Sequence, residues 1–312
     1  MNDQAERLRD LVQRHKELTE PLDILEVRKQ ELNLPTSPKP SVNARVIAVT
    51  SGKGGVGKTN VSINLAIYMR KQHKRIVLLD TDFGLANVEV LFGVNPKYNF
   101  GDVLSELITI DSAMTVGPMG INFLSGGSGL TALSNISEQQ MSVLIDSFSY
   151  LDETADVVII DTGAGVSKTV VNFVKAAGEA IVVTTPDPTS VTDAYALIKT
   201  VKDSCEAEEL PSFKLVVNRV ESPSEGVDVY QKLGGVCGRF LGITLASLGN
   251  IPSDPHLVKA VKHQQPVSLM FPNSESSRCF EAIANKLLEI KDTEKKSGLK
   301  NFIFKLTGRR GN

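Results

Sequence analysis

Short apolar runs rich in valine and isoleucine recur along the middle of the chain. They are VIAVTS at 46–51, RIVLLD at 75–80, DVVIID at 156–161, AIVVTT at 180–185 and FKLVVN at 213–218. Most positions in each run are apolar, without a polar face, as expected for strands buried on both sides of a parallel sheet. Between them lie segments of helical spacing, among them Thr59–Lys71, Lys168–Ala177 and Thr192–Asp203. This alternation predicts βαβ units and a doubly wound α/β fold with a mostly parallel sheet. Both ends depart from the pattern. Residues 2–32 are charged, with Ala5, Leu8, Leu11, Val12 and Leu18 at helical spacing, and PTSPKP at 35–40 interrupts them as a linker. Four parts are expected: a helical arm (1–34), a linker (35–44), the α/β domain (45–291) and a basic tail (292–312).

Composition narrows the picture. The 312 residues are 41% apolar and 22% charged, enough for one large domain with extensions. The net charge of −2 does not suit a polyanion, so nucleic acid is not an expected partner of the protein as a whole. The three cysteines form no CxxC pair and the four histidines show no metal-ligand spacing, so thiols in a reducing compartment are expected. Residues 1–20 lack the apolar core of a signal peptide, and no run of eighteen apolar residues occurs.

Candidate chemistry concentrates after the first strand. GKGGVGKT, Gly52 to Thr59, fits G-x-x-x-x-G-K-[ST] between a predicted strand and a predicted helix. Glycines there let backbone N–H groups curl round phosphates, and the helix start adds its positive end. Gly52, Lys53, Gly54, Gly55, Val56, Gly57, Lys58, Thr59 and Asn60 are therefore the expected nucleotide cradle. Lys58 would neutralise β/γ-phosphate charge, and the Thr59 hydroxyl would bind Mg²⁺. DTDFGLAN at 80–87 and DTGAG at 161–165 follow the second and third strands. An aspartate at the carboxyl end of a parallel strand points into the ligand crevice, although helix capping is the alternative for each.

Lys53, five positions before Lys58, is not required by a P-loop. With it the stretch KGGVGKT resembles the deviant Walker A ATPases of the MinD/ParA group. The resemblance implies a MinD-like P-loop NTPase fold, ATP/ADP and Mg²⁺ as cofactors, and an ATP-bound homodimer in which Lys53 reaches the partner's phosphates. A solvated loop lysine is the alternative. It implies Lys53, Lys58 and Asp82 as catalytic residues and Thr59, Asp82 and Asp161 around Mg²⁺. Asp80, Asn87, Asp161, Gly163 and Gly165 would form switch regions. VVNRV and NIPSD resemble the group's base-recognition loops, giving Asn218, Arg219, Pro252 and Asp254 to the nucleoside. Asp187 would meet the partner's ribose, with a turn or cap role open for Asp187 and Asp254.

The tail KKSGLKNFIFKLTGRR carries six cations and no acid. Leu299, Phe302, Ile303 and Leu306 fall on one helical face flanked by Lys300 and Lys305, a pattern suited to an anionic membrane interface or to docking on the body of the protein. The opening DQAERLR resembles the DQAxxLR segment of the FlhG branch of MinD-like ATPases, which sets flagellar number and placement. That resemblance implies that Asp3, Gln4, Ala5, Leu8 and Arg9 stimulate an FlhF-type GTPase. It offers flagellar C-ring proteins or a flagellar transcription factor as further partners, and a cytoplasmic protein reversibly peripheral on the cytoplasmic membrane. A MinD-type division-site selector, a ParA-type DNA-partitioning ATPase and an iron–sulfur scaffold ATPase are the competing functions.

Overall fold

A computed structural model of the protein describes residues 43–82, 87–126, 138–206, 209–289 and 299–307. The strands are β1 (Arg45–Ser51), β2 (Ile76–Thr81), β3 (Thr115–Val116), β4 (Asn122–Ser125), β5 (Val157–Ala164), β6 (Glu179–Thr184), β7 (Ser212–Val220) and β8 (Ala246–Pro252). They form one sheet in the order β3-β4-β2-β5-β1-β6-β7-β8. Only the short β3–β4 pair is antiparallel. The five strands expected from the apolar runs are the five at its centre, displaced by a few residues at most at either end.

Helices cover both faces. On one lie α1 (Lys58–Lys71), α2 (Asn87–Phe92), α9 (Pro255–Lys262), α10 (Val267–Met270) and α11 (Glu275–Glu289). On the other lie α3 (Phe100–Leu104), α4 (Ile110–Ala113), α5 (Glu138–Thr154), α6 (Lys168–Ala176), α7 (Pro188–Asp203), α8 (Pro223–Val236) and α12 (Leu299–Thr307). All positions of β2 and β6 are buried, and alternate residues feed the two cores, which is why the runs read as continuous apolar stretches. Local signals set the helix starts. Ser167 accepts the Val170 N–H ahead of α6, Ser222 accepts the Glu225 N–H ahead of α8, and Pro188 opens α7 a full turn before the expected Thr192.

At the amino ends of the central strands three charges meet, two of them buried and that of Arg45 partly buried. Arg45 on β1 and Lys214 on β7 both pair with Glu179 on β6, with Arg45 Nη2 and Lys214 Nζ each 2.7 Å from Glu179 Oε2. Arg45 Nη1 also donates to the Leu287 carbonyl at 2.8 Å, tying the end of α11 to the sheet.

The tail helix α12 packs against α5 and α6. Leu299, Phe302 and Ile303 are fully buried there. The Phe302 ring lies between Phe148 of α5 and Phe173 of α6, with centroid separations of 6.1 and 6.0 Å. Lys305 and Leu306 are half-buried, and the side chain of Lys300 is outside the described ones. Of the two expectations for this apolar stripe, docking on the body is the arrangement the structure contains. No described helix is long and apolar enough to cross a membrane. The arm residues Asp3, Gln4, Ala5, Leu8 and Arg9 and the linker up to residue 42 lie outside the described residues.

Candidate nucleotide-binding site

β1 sits between β5 and β6; the connection after β1 runs through α1 to β2 on one side and the connection after β5 runs through α6 to β6 on the other, on opposite faces of the sheet, so a crevice opens at the carboxyl end of β1. Gly52 to Gly57 occupy that crevice. Gly57 has φ 95°, and a Cβ there would lie 2.3 Å from Asn218 Nδ2, so both its backbone and its surroundings require glycine. Gly55 is likewise left-handed at φ 77°. The loop ends at the first residue of α1, whose unpaired N–H groups face the cradle.

Asp161, fully buried at the carboxyl end of β5, is the hub of the site. Thr59 Oγ1 donates to its Oδ2 at 2.7 Å, Ser62 Oγ donates to its Oδ1 at 2.8 Å, and Lys58 Nζ lies 3.4 Å from Oδ1. Ser62 was not anticipated from the motif. Its signal was present in its spacing, since positions 58, 59 and 62 share one face of a helix. Thr59 and Asp161 present hard oxygen donors beside the phosphate loop, a donor set that fits Mg²⁺.

Asp80 on β2 is the direct register partner of Asp161. Burial and then the Asp161 charge push its carboxyl up to about 7, against the opposing N–H groups of Val88, Asp82 and Asn87. Those donors make Asp80 the cap that holds the start of α2. Asp82 is half-buried. Burial raises its pKa, Lys58 opposes the rise and Asp161 adds to it. Its Oδ2 accepts from Asn87 Nδ2 at 3.1 Å. Asp82, Gly163 and Phe173 line one cavity of about 160 Å³ beside the P-loop. Gly165, left-handed at φ 90°, donates its N–H to the Ser51 carbonyl at 2.9 Å and ties this loop to the end of β1.

Lys53 does not join this cluster. Its ammonium donates to Thr189 Oγ1 at 2.8 Å and lies 3.3 Å from Asp187 Oδ2, at the start of α7. Both charged side chains are about half exposed, at 42% and 54%. The two lysines of the motif therefore point to different places, Lys58 inward and Lys53 outward.

Comparison with known proteins agrees with this geometry. Residues 42–288 match the ParA family, described as NUBPL iron-transfer P-loop NTPase. Antiactivator FleN of Pseudomonas aeruginosa is 42% identical over 243 residues, 78% of this chain and 86% of that protein. The chain belongs to the MinD/ParA family of P-loop NTPases. Flagellum site-determining protein YlxH of Helicobacter pylori is 34% identical, covering 85% of this chain and 90% of that protein. These relatives place the chain in the FleN/YlxH branch, which the opening segment had suggested as FlhG. The MinC:MinD cell division protein complex of Aquifex aeolicus matches with a TM-score of 0.62 at 25% identity, over 81% of this chain and 99% of that one. MinD of Pyrococcus horikoshii, complexed with Mg-ADP, matches in fold with a TM-score of 0.63 at 22% identity, over 82% and 98%.

In this MinD/ParA NTPase the nucleoside-end residues carry structural duties. Asn218 is buried, donates to the Val56 carbonyl at 2.7 Å and accepts the Arg219 N–H at 2.9 Å, so its amide clamps the P-loop to β7. Arg219 is exposed and left-handed, at φ 59°. Pro252 ends β8 beside Val220. Asp254 takes the cap role left open for it, with its carboxylate engaged at two helix starts. It accepts the His256 N–H at 2.8 Å, opening α9, and the Ser276 N–H and hydroxyl at 3.1 and 2.6 Å, opening α11. Burial raises its pKa, but these donors outweigh it and hold the carboxyl at about 2. A depressed pKa stabilises the fold above the unfolded value near 4, and that stability is lost as pH falls through 2. Asp254→Asn is expected to cost about 2 kcal/mol at pH 7, with the difference shrinking between pH 4 and 2. Urea unfolding across that range checks it; a pH-independent difference would remove the charge from the explanation.

Proposed function

We propose that this chain is an ATP-hydrolysing switch that regulates flagellar number or placement. ATP pairs two copies, hydrolysis separates them, and the N-terminal arm acts on an FlhF-type GTPase. The names of the FleN and YlxH relatives support the flagellar assignment. The DQAERLR segment supports the GTPase partner.

One observation carries the switch: Lys58 is sealed against Asp161 while Lys53 is parked at the exposed start of α7. A single chain thus brings one of its two motif lysines to its own phosphate cradle. The other is available to a neighbouring copy, where two triphosphates facing each other concentrate negative charge. Within each copy the loop N–H groups and Lys58 bind the phosphates, Asp82 orients the attacking water, and Thr59 and Asp161 hold Mg²⁺. The metal, when bound, neutralises phosphate-oxygen charge.

The apolar face of α12 suits an anionic membrane surface, and it is the face packed on the body, so membrane contact in this reading requires undocking. Phe173 supports a link to nucleotide state, because it lines the cavity beside Asp82 and also meets Phe302.

Lys53→Ala is expected to bind ATP as a monomer but to lose the ATP-dependent dimer in light scattering. A dimer of unchanged stability would reject the trans role. MinD relatives, such as that of Synechocystis at 32% identity over 78% of this chain, favour a division-site selector as the second reading. Deletion of residues 2–18, or Gln4→Ala, separates the two. It should erase stimulation of an FlhF-type GTPase while leaving ATP turnover unchanged, and full stimulation would return the selector reading to first place.

A further inference from the structure

Asp152 is an acidic residue in the last turn of α5, where the helix's own partial charge is negative and a carboxylate is disfavoured. It is nonetheless buried, 7% exposed. Such a placement requires donors close by. Two of them come from segments far apart in sequence and lead to opposite ends of the chain. The Ala44 N–H donates to Asp152 Oδ1 at 3.1 Å, at the point where the N-terminal region enters the described body. The Leu299 N–H donates to the same oxygen at 2.7 Å. Leu299 is the first residue of α12, so its N–H has no partner within the helix, and Asp152 caps the tail helix across space. Ala44 and Leu299 are themselves fully buried.

We infer that Asp152 is a latch joining the end of the linker, where the chain enters β1, to the docked tail helix, so that freeing either end loosens the other. The physical reason is shared desolvation. A hydrogen bond to a carboxylate is strong when water is excluded and weak when it is admitted. When α12 leaves, Asp152 loses one donor and is wetted, which weakens its hold on Ala44. When Ala44 withdraws, the same wetting removes the cap of α12. The coupling is reciprocal, as any linkage between two equilibria must be. This inference rests on the proposed reading only in its consequence, that a partner engaging the arm promotes exposure of the tail's apolar face.

Hydrogen exchange of backbone amides in the full chain tests it. Asp152→Ala should raise exchange at least tenfold at the first amides of α12 and at Ala44, with the amides of α1 unchanged. Asp152→Asn, which keeps an uncharged acceptor, should fall between that variant and the parent. It also serves if the alanine variant folds poorly. Phe302→Ser, which undocks α12 from its aromatic side, should raise exchange at Ala44 as well. Parental protection of α12 in both Asp152 variants would overturn the latch, as would an undocked α12 in Phe302→Ser with Ala44 unchanged. Sedimentation of the same proteins with vesicles of anionic phospholipid separates the two ideas. Coupled exchange without vesicle binding removes the membrane reading and leaves the latch standing. Vesicle binding without coupled exchange does the reverse.

Discussion

Lys58→Ala is expected to lower ATP turnover by about two to three orders of magnitude, the usual loss when a preorganised charge on the transferring phosphoryl group is removed. It should also destabilise the nucleotide-free protein, which a purely ligand-binding lysine would not do. Lys58 is 7% exposed and is paired with Asp161, which is completely buried. Asp80 lies in register beside Asp161 and already has its pKa raised by that neighbour. Without the ammonium, two buried carboxylates face each other with only N–H and hydroxyl donors to hold them. The loss of stability should be about 3 kcal/mol, at the lower end for a broken buried pair because the Thr59 and Ser62 hydroxyls remain. Turnover measurements and urea unfolding without nucleotide read the two effects separately. A variant that hydrolyses ATP within tenfold of the parent would remove Lys58 from the chemistry.

The largest loss of stability is expected far from the nucleotide. Glu179→Ala leaves the buried Lys214 and the partly buried Arg45 without their shared carboxylate and should cost roughly 3–5 kcal/mol. Burial raises the pKa of Glu179, and the two cations outweigh that and lower it. Its contribution is thus present above the ordinary glutamate range and lost as pH falls through the depressed value. Glu179→Leu combined with Lys214→Met should recover part of the loss, because it removes one of the two stranded charges and refills the space. Denaturant midpoints of the single and double variants check this. A double variant as unstable as the single one would mean that the site depends on backbone geometry rather than on charge pairing.

What could be read along the chain followed the strength of local signals. The five central strands were legible because a strand covered on both faces has apolar side chains at nearly every position, and such runs stand out without tertiary knowledge. β3, β4 and β8 were not singled out. They lie at or next to the edges of the sheet; β4 has only four residues, too short a run to stand out, and β8 has mixed burial and a left-handed glycine, Gly249. β3 has only two residues, too few for a period to show. The P-loop was legible for a different reason. A tight loop around phosphates constrains backbone and side-chain size at consecutive positions, so Gly57, Lys58 and Thr59 must be neighbours.

Long-range partnerships left no such trace. That Asp161 gathers Lys58, Thr59 and Ser62 requires β5 to lie beside β1, and that Asn218 braces the Val56 carbonyl requires β7 to reach the same crevice. Asp254 illustrates the limit. As a residue type after a strand it suits a ligand contact or a cap equally; the cap on His256 is local, and only the tertiary fold brings Ser276 to the same carboxylate. The tail is the same problem on a larger scale. Its stripe of Leu299, Phe302 and Ile303 states that one face must leave water, and no sequence pattern can state where that face goes. By itself the sequence determined the α/β class, the phosphate loop and the amphipathic tail, because each is written in adjacent or periodic positions. The tertiary structure decided which carboxylates cap helices, which one gathers the P-loop side chains, where Lys53 rests and what α12 covers, because those depend on groups that meet only when distant segments pack together.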